Sequence, residues 1–440
     1  MKRTLLCLVL LLALCLSSCG LYDLSDYLAA YQNGSSTETT SNSQYITESE
    51  LKAMINEEVA KAAKNLTIEE GDTYDVTVEA SESFELVGAS SALLSTVSIV
   101  TTFQTQQYVF SRYGYQLVDG DPVSFAGSGV IYDLDKVTGS AYIITNYHVV
   151  YYASALTSNK ISDDINVYLY GQESKQYAIP ATYVGGSMYY DIAVLKVSNS
   201  DVLKASHATE AVIANSDDVS VLETAIAIGN PEGLGISATV GHINVVSEYI
   251  SMTAADEKTA LSMRVIRVDT AVNGGNSGGG LYNKDGELIG IVNAKLADSS
   301  VDNIGYAIPS NVAVYVTKNI LDYCDGKEEE HLYRCMVGIT VEAAASTSEL
   351  DMKTGKVHIK ETVKVSDVSS TGIANGVLAV GDVIKSITID GNTYNVSRIF
   401  HVVDNMLNAR VGSSVVFHVE RNGESLDVPI AITASALTQY

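Results

Sequence analysis

From residue 91 to about residue 316 the chain reads as short apolar runs cut by Gly, Asn and Asp: LLSTVSIVTTF, GSGVIYD, SAYIITNYHVV, INVYLYG, IPATYVGG, DIAVLKV, TAIAIGN, ATVGHINVV and LIGIVNA. Runs of this length bounded by turn residues predict β-strands. The text between them is too poor in helical periodicity for alternating βαβ units, so a sandwich or a pair of barrels is expected. After residue 316 the pattern changes. KNILDYCDGKEEEHLYR predicts a helix with a charged continuation, and a smaller module follows over residues 335–433. It has a strand-like KVHIKETV, a helical RIFHVVDNMLNA and a closing hairpin SVVFHVERNGESLDVPIAI, in which Asn422 and Gly423 form the dipeptide that favours a tight primed turn.

The N-terminal part follows other rules. Lys2 and Arg3 precede an apolar run from Leu5 to Leu16, then Ser17, Ser18 and Cys19. A basic start, a short apolar stretch and small residues make a secretion signal over residues 1–18, too short to span a bilayer comfortably. The ending LSSC resembles the bacterial lipobox, which implies lipidation of Cys19. An ordinary cleaved signal that ends in cysteine is the alternative. Residues 19–46 are rich in Ser, Thr and Asn and predict a flexible tether. Thr47 and Glu50 form a capping-box pattern, with Leu51, Met54, Ile55 and Val59 at helical spacing behind it, so an amphipathic helix is expected over residues 48–65. The segments are therefore 1–18, 19–46, 47–90 (helix and acidic stretch), 91–326 (the strand-rich domain) and 327–440 (linker and smaller module).

Composition sharpens this picture in three places. With 440 residues, two compact domains plus flanking segments are expected. Lys+Arg number 27 against 52 Asp+Glu, a net charge of -25, which argues against broad contact with nucleic acid through a basic face. Of the 5 cysteines, only Cys324 and Cys335 fall in the folded body. They form neither a disulfide framework nor a zinc pattern; one bridge or two separate buried thiols remain open. No metal or cofactor is expected.

Candidate chemistry centres on DTAVNGGNSGGGL, Asp269 to Leu281, where Ser277 stands among glycines and two asparagines. Glycine tolerates positive φ and close backbone approach but weakens strand and helix interiors, so this run predicts a shaped loop. Such a loop can aim backbone N–H groups at one point beside the serine hydroxyl, the arrangement acyl transfer requires. A Gly-rich hairpin turn or a phosphate loop is the competing reading, but no lysine follows the glycines as the latter requires. Of the 7 histidines, His148 ends the strand-like SAYIITNYHVV, and Asp191 opens the apolar DIAVLKV. A carboxylate there must be paired or hydrogen-bonded, because burying it alone is costly. The order His148, Asp191, Ser277 is one of the known orders of a Ser-His-Asp triad, that of double β-barrel proteases.

Together TNYHVV, DIAVLKV, AIAIGNPEGLGISATVGHI, DTAVNGGNSGGGL and IGYAIPSNVA resemble successive motifs of the HtrA (Deg) family of trypsin-like serine proteases, and MVGITV and GDVIKSITIDG resemble its PDZ domain. The resemblance implies a mainly β protein, with a chymotrypsin-like double β-barrel followed by a PDZ-like α+β domain. It makes Ser277 the nucleophile, His148 the base and Asp191 its orienting partner, with the N–H groups of Gly275 and Ser277 as oxyanion hole. It places Val272, Leu296 and Ile304 around an aliphatic S1 pocket that suits a small to medium apolar P1 residue. Met336, Val337, Gly338 and Ile339 take the place of the PDZ loop that captures peptide C-termini. The family further implies unfolded or mislocalised protein substrates, a homotrimer, and a position in the bacterial cell envelope. Two departures stand out. Glycines at 274 and 280 predict a mobile loop, and ANGVLAVGDVI is one residue longer than the usual spacing. The rival reading is a chaperone or peptide-binding lipoprotein whose triad never aligns.

Overall fold

Strands that bury both faces need two cores, and alternate residues of one strand supply them. The computed structural model describes residues 90–112, 114–294, 304–325 and 332–439. The expectations for residues 1–89, including Cys19, the tether and the helix at 48–65, lie outside the described residues.

The first barrel is built from β1 (Thr96–Phe103), β4 (Val123–Asp135), β5 (Ser140–Thr145), β6 (Asp164–Leu169), β7 (Ile179–Ser187) and β8 (Ile192–Val197), closed in the order β1-β4-β5-β8-β7-β6. Between β1 and β4 a hairpin of β2 (Gln106–Ser111) and β3 (Gly114–Asp119) stands apart as its own two-stranded sheet. A one-turn helix, α1 (Tyr147–Val150), follows β5, and α2 (Asp201–Ala205) follows β8. The second barrel contains β9 (Thr224–Gly229), β10 (Ser237–Thr253), β11 (Ala260–Val268), β12 (Gly280–Tyr282), β13 (Leu288–Val292) and β14 (Gly305–Pro309), closed as β10-β11-β14-β13-β12-β9.

The apolar run of β8 shows how the cores divide. Ala193, Leu195 and Val197 point into the first barrel, while Ile192 and Val194 join a shared layer with Ile226, Ile228, Val265, Ile291 and Ile308 of the second. Period-2 alternation thus persists although the strand contains almost no polar residue. α3 (Ser310–Cys324) packs Val312, Ala313, Val316 and Ile320 onto the same layer. Tyr282 is fully buried there, its hydroxyl 2.9 Å from Thr96 Oγ1 and 3.2 Å from Ser95 Oγ, so a polar tie crosses between the barrels.

The C-terminal module holds β15 (Tyr333–Cys335), β16 (Ile339–Leu350), β17 (Val357–Val368), β18 (Val383–Ile389), β19 (Asn392–Asn395), α4 (Ile399–Asn405), β20 (Ser414–Arg421), β21 (Glu424–Ala431) and β22 (Leu437–Gln439). Its main sheet runs β16-β17-β18-β20-β21 with β19 on β18, around a core that includes Val365, Ile387, Phe417 and Val419. The expected turn at 422–423 is present: Asn422 has φ 54 and Gly423 φ 86, and Arg421 pairs with Glu424. Cys324 and Cys335 are both buried and unbridged. Burial pushes the Cys335 thiol up to about 11.

A buried charge cluster joins the barrels to this module. Arg264 of β11 sets its Nε 3.0 Å from Asp404 Oδ2 on α4 and its Nη2 3.3 Å from Asp217 Oδ1. Its guanidinium lies 3.9 Å from the centroid of the Phe400 ring, a desolvated cation–π contact. Burial pushes the Asp404 carboxyl up to about 6, against the opposing pull of Arg264. A carboxyl with a raised folded-state value takes up a proton on folding, so its contribution to stability grows as pH falls through about 6. Urea midpoints of the natural protein and Asp404→Asn should therefore diverge in favour of the natural protein between pH 7 and 4.5. A flat or opposite difference contradicts a raised Asp404.

Candidate active site

The first barrel contributes two of the three expected side chains. β5 ends at Thr145, Asn146 is extended, and α1 then carries His148. Asp191 lies in the turn between β7 and β8 with φ 50, a left-handed conformation that Asp adopts more readily than most residues. Its backbone carbonyl accepts Asn146 Nδ2–H at 2.9 Å and Tyr147 N–H at 3.2 Å, which fixes the turn against the helix. His148 N–H donates to Asp191 Oδ1 at 3.0 Å, and His148 Nδ1 is 2.7 Å from Asp191 Oδ2. A carboxylate only 3% exposed is thus met by donors, as burial requires. The imidazole is 18% exposed and keeps its other nitrogen available.

The second barrel supplies Ser277 from the loop between β11 and β12. Gly275 has φ 93, and a Cβ there would collide with the Asn230 carbonyl oxygen, so only glycine fits. Ser128 Oγ donates to Gly275 O at 2.7 Å and accepts Asn230 N–H at 2.8 Å, while Ser128 N–H donates to Ser277 O at 2.8 Å. The loop is thereby tied to β4 of the other barrel. Among the described residues, the N–H groups of Gly275 and Ser277 meet no acceptor. They are available for an anion or a polarised carbonyl. Ser277 Oγ accepts Ala294 N–H at 3.1 Å, and no hydrogen bond joins it to His148. The structure therefore forms the imidazole–carboxylate pair and brings the serine into the same two-barrel site, with its hydroxyl turned to β13's end.

Three polar side chains around this site escaped the sequence reading. Asn293, fully buried, donates Nδ2–H to Asp191 Oδ2 at 2.8 Å. Asn146 and Ser128 brace the turn and the loop as described. Asn146 and Asn293 are single polar residues just after strands and Ser128 is one within β4, patterns too common to single out.

The remaining expected residues divide. Val272 is half-buried and packs on Gly305, where a Cβ would lie 2.8 Å from Val272 Cγ2; Ile304 precedes that glycine and is half-buried too. Leu296 lies outside the described residues. In the C-terminal module, Gly338 has φ 86, Val337 is buried and Ile339 opens the edge strand β16. Met336 is a correction: its N–H already donates to Ala436 O at 2.7 Å, so it is not available to a bound chain terminus. Among the described residues no group of three or more His, Cys, Asp or Glu is placed to hold a metal ion.

Comparison with known proteins agrees with this fold. The model of the trypsin-like peptidase domain family matches residues 127–291. Serine protease Do-like HtrA of Bacillus subtilis (strain 168) is 31% identical over 349 residues, spanning 76% of this chain and 69% of that protein. Serine protease Do-like HtrA of Lactococcus lactis subsp. cremoris is 34% identical, spanning 61% and 62%. Periplasmic pH-dependent serine endoprotease DegQ of Escherichia coli is 30% identical, spanning 73% and 63%. The chain thus covers roughly two thirds of the length of these relatives.

The two glycines expected to loosen the loop differ in kind. Gly274 has open space around its would-be Cβ, whereas Gly280 lies in β12 directly against the buried Tyr282 ring. Gly280 is a packing requirement and not a source of freedom. Gly280→Ala should destabilise the protein by roughly 1–3 kcal/mol through overpacking, and Gly274→Ala by no more than about 0.5 kcal/mol. Urea unfolding of the two variants separates these outcomes; equal costs contradict the assignment.

Proposed function

Because the chain belongs to the HtrA family of trypsin-like serine proteases, we propose that it is a serine endopeptidase acting through Ser277, His148 and Asp191. The observation that carries this reading is the 2.7 Å contact between His148 Nδ1 and the buried Asp191 carboxylate, beside a glycine loop that presents Ser277. Aligned, the Ser277 hydroxyl turns from Ala294 toward the free nitrogen of His148. As its oxygen attacks the substrate carbonyl, the proton passes to His148. Asp191 stabilises the imidazolium that forms and fixes its tautomer. The N–H groups of Gly275 and Ser277 receive the oxyanion, each such donor contributing about 3–4 kcal/mol at the transition state. His148 then returns the proton to the leaving amine, and water hydrolyses the acyl-enzyme.

Val272 and Ile304 support a P1 preference for Val, Ala or Leu, since neither can pair a cationic side chain. Unfolded or mislocalised proteins are the proposed substrates, with peptide C-termini engaging the PDZ-like module beside Val337, Gly338 and Ile339. A lipid at Cys19 would tether the enzyme to the cell envelope, and a trimer is the proposed assembly. One observation favours a second reading: Ser277 Oγ is bonded to Ala294 and not to His148, as expected of a binding protein whose triad stays unaligned.

A fluorophosphonate probe decides between the two. Labelling that is lost in Ser277→Ala supports the endopeptidase; no labelling with or without unfolded protein present favours the binding protein. Among peptide substrates, cleavage should follow Val, Ala or Leu, and preferential cleavage after Lys or Arg contradicts the aliphatic pocket.

A further inference from the structure

We infer that Ser128 is a positioning residue for the oxyanion hole: from the first barrel, its hydroxyl fixes the Gly275 carbonyl and thereby the direction of the flanking N–H groups of Gly275 and Ser277. This rests on the endopeptidase reading above.

A glycine-rich loop can turn its peptide planes over with little steric resistance, so each plane needs a tether. In a trans peptide the C=O and N–H point in opposite directions, and holding the carbonyl aims the N–H. Three consecutive carbonyls are held here. Gly274 O accepts Glu232 N–H at 2.8 Å, which aims Gly275 N–H away from that contact. Gly275 O accepts the Ser128 hydroxyl at 2.7 Å, while Asn276 N–H of the same plane donates to Asn273 O at 3.1 Å. Asn276 O accepts Gly279 N–H at 2.9 Å, which aims Ser277 N–H. The tether on Gly275 is the one of the three made by a side chain, and it holds the plane between the two that carry the hole's donors.

The residue type fits this task. Ser128 is 0% exposed and lies in the buried stretch 127–131 of β4, where its neighbours Val130 and Ile131 are apolar. A hydroxyl both donates and accepts, so one group serves Gly275 O and takes Asn230 N–H at 2.8 Å. Asn230 is anchored in turn, its Nδ2–H donating to Ser98 Oγ at 2.6 Å and its Oδ1 accepting Gly235 N–H at 2.8 Å. Alanine at 128 would leave a buried carbonyl and a buried N–H without this partner. Among the described residues the Ser128 hydroxyl bonds neither His148 nor Asp191, so its effect on the reaction runs through the loop backbone.

A matched pair of peptide substrates, an ester and the thionoester with C=S in place of C=O, tests this. Sulfur is the weaker acceptor, so a formed hole favours the ester. With folding verified by near-UV circular dichroism and rates normalised to the protein labelled by a fluorophosphonate at saturation, Ser128→Ala should lower kcat for the ester roughly ten- to hundredfold. That is below the loss of a donor outright, because the N–H groups remain present. KM should change less than about twofold. The thionoester rate should fall less than about threefold, so the preference for oxygen shrinks by about tenfold. The acid limb of kcat/KM should stay in place, since His148 and Asp191 are untouched. Ser128→Cys keeps the shape with a weaker donor and should show the same selective loss to a smaller degree; it carries the test where Ser128→Ala does not fold. If the natural protein is labelled at Ser277 but the variants keep its ester rate, the inference is wrong and the endopeptidase reading stands. Equal losses on ester and thionoester mark a merely structural serine and also overturn it. No labelling of the natural protein removes both readings together.

Discussion

Everything at the site depends on the register of two barrels that carry different parts of it. His148 and Asp191 come from the first and Ser277 from the second, so their separation is set by the layer in which Ile144, Ile192 and Val194 meet Ile226, Ile228 and Ile291. Each fully buried aliphatic side chain of this kind contributes about 1.5–3 kcal/mol, and close packing leaves little room for sliding. Polar ties then select one register among apolar alternatives: Tyr282 to Thr96, Ser128 to Gly275 and Ser277, and Asn293 to Asp191. The same hydrogen bonds that satisfy buried groups also aim the chemistry.

Energetically, the proposed triad needs little rearrangement. The costly element is a buried carboxylate, and it is already satisfied by its donors. What differs from an aligned triad is the Ser277 hydroxyl, held by one neutral hydrogen bond from Ala294. Such a bond contributes a net 1 kcal/mol or so, on the order of a side-chain rotamer difference. Side-chain rotation of this kind is fast compared with turnover. The energetic difference between this arrangement and the proposed aligned one is therefore small.

The C-terminal module is not merely appended. Arg264 reaches from β11 to Asp404 and Phe400 on α4, and buried charges of this kind are strongly destabilising when one partner is removed. Where the module's helix sits is thus felt by the strand that leads into the Ser277 loop. Its outer strand β16 leaves one edge without a neighbouring strand in the sheet, the feature that extended peptides exploit.

Much of this was legible in the chain. Short apolar runs between turn residues specified strands, because a half- or fully buried strand needs little else. The Asn422–Gly423 turn followed from backbone sterics alone, and the GNSGG run from glycine's access to positive φ. His148 and Asp191 were legible as a pair because a carboxylate at the head of an apolar strand needs a donor. Other features required the tertiary structure. Asn293 is distant in sequence from Asp191, and nothing local distinguishes an asparagine that crosses between barrels from one that ends a strand. Gly280 reads as one more loop glycine until the Tyr282 ring is seen against it. The N–H of Met336 reads as available until Ala436 O is found on it. Sequence by itself determined which residue types can do the chemistry, since propensity and burial act locally. Only the folded chain decided which of them meet, because those contacts are set by the packing of one barrel on the other.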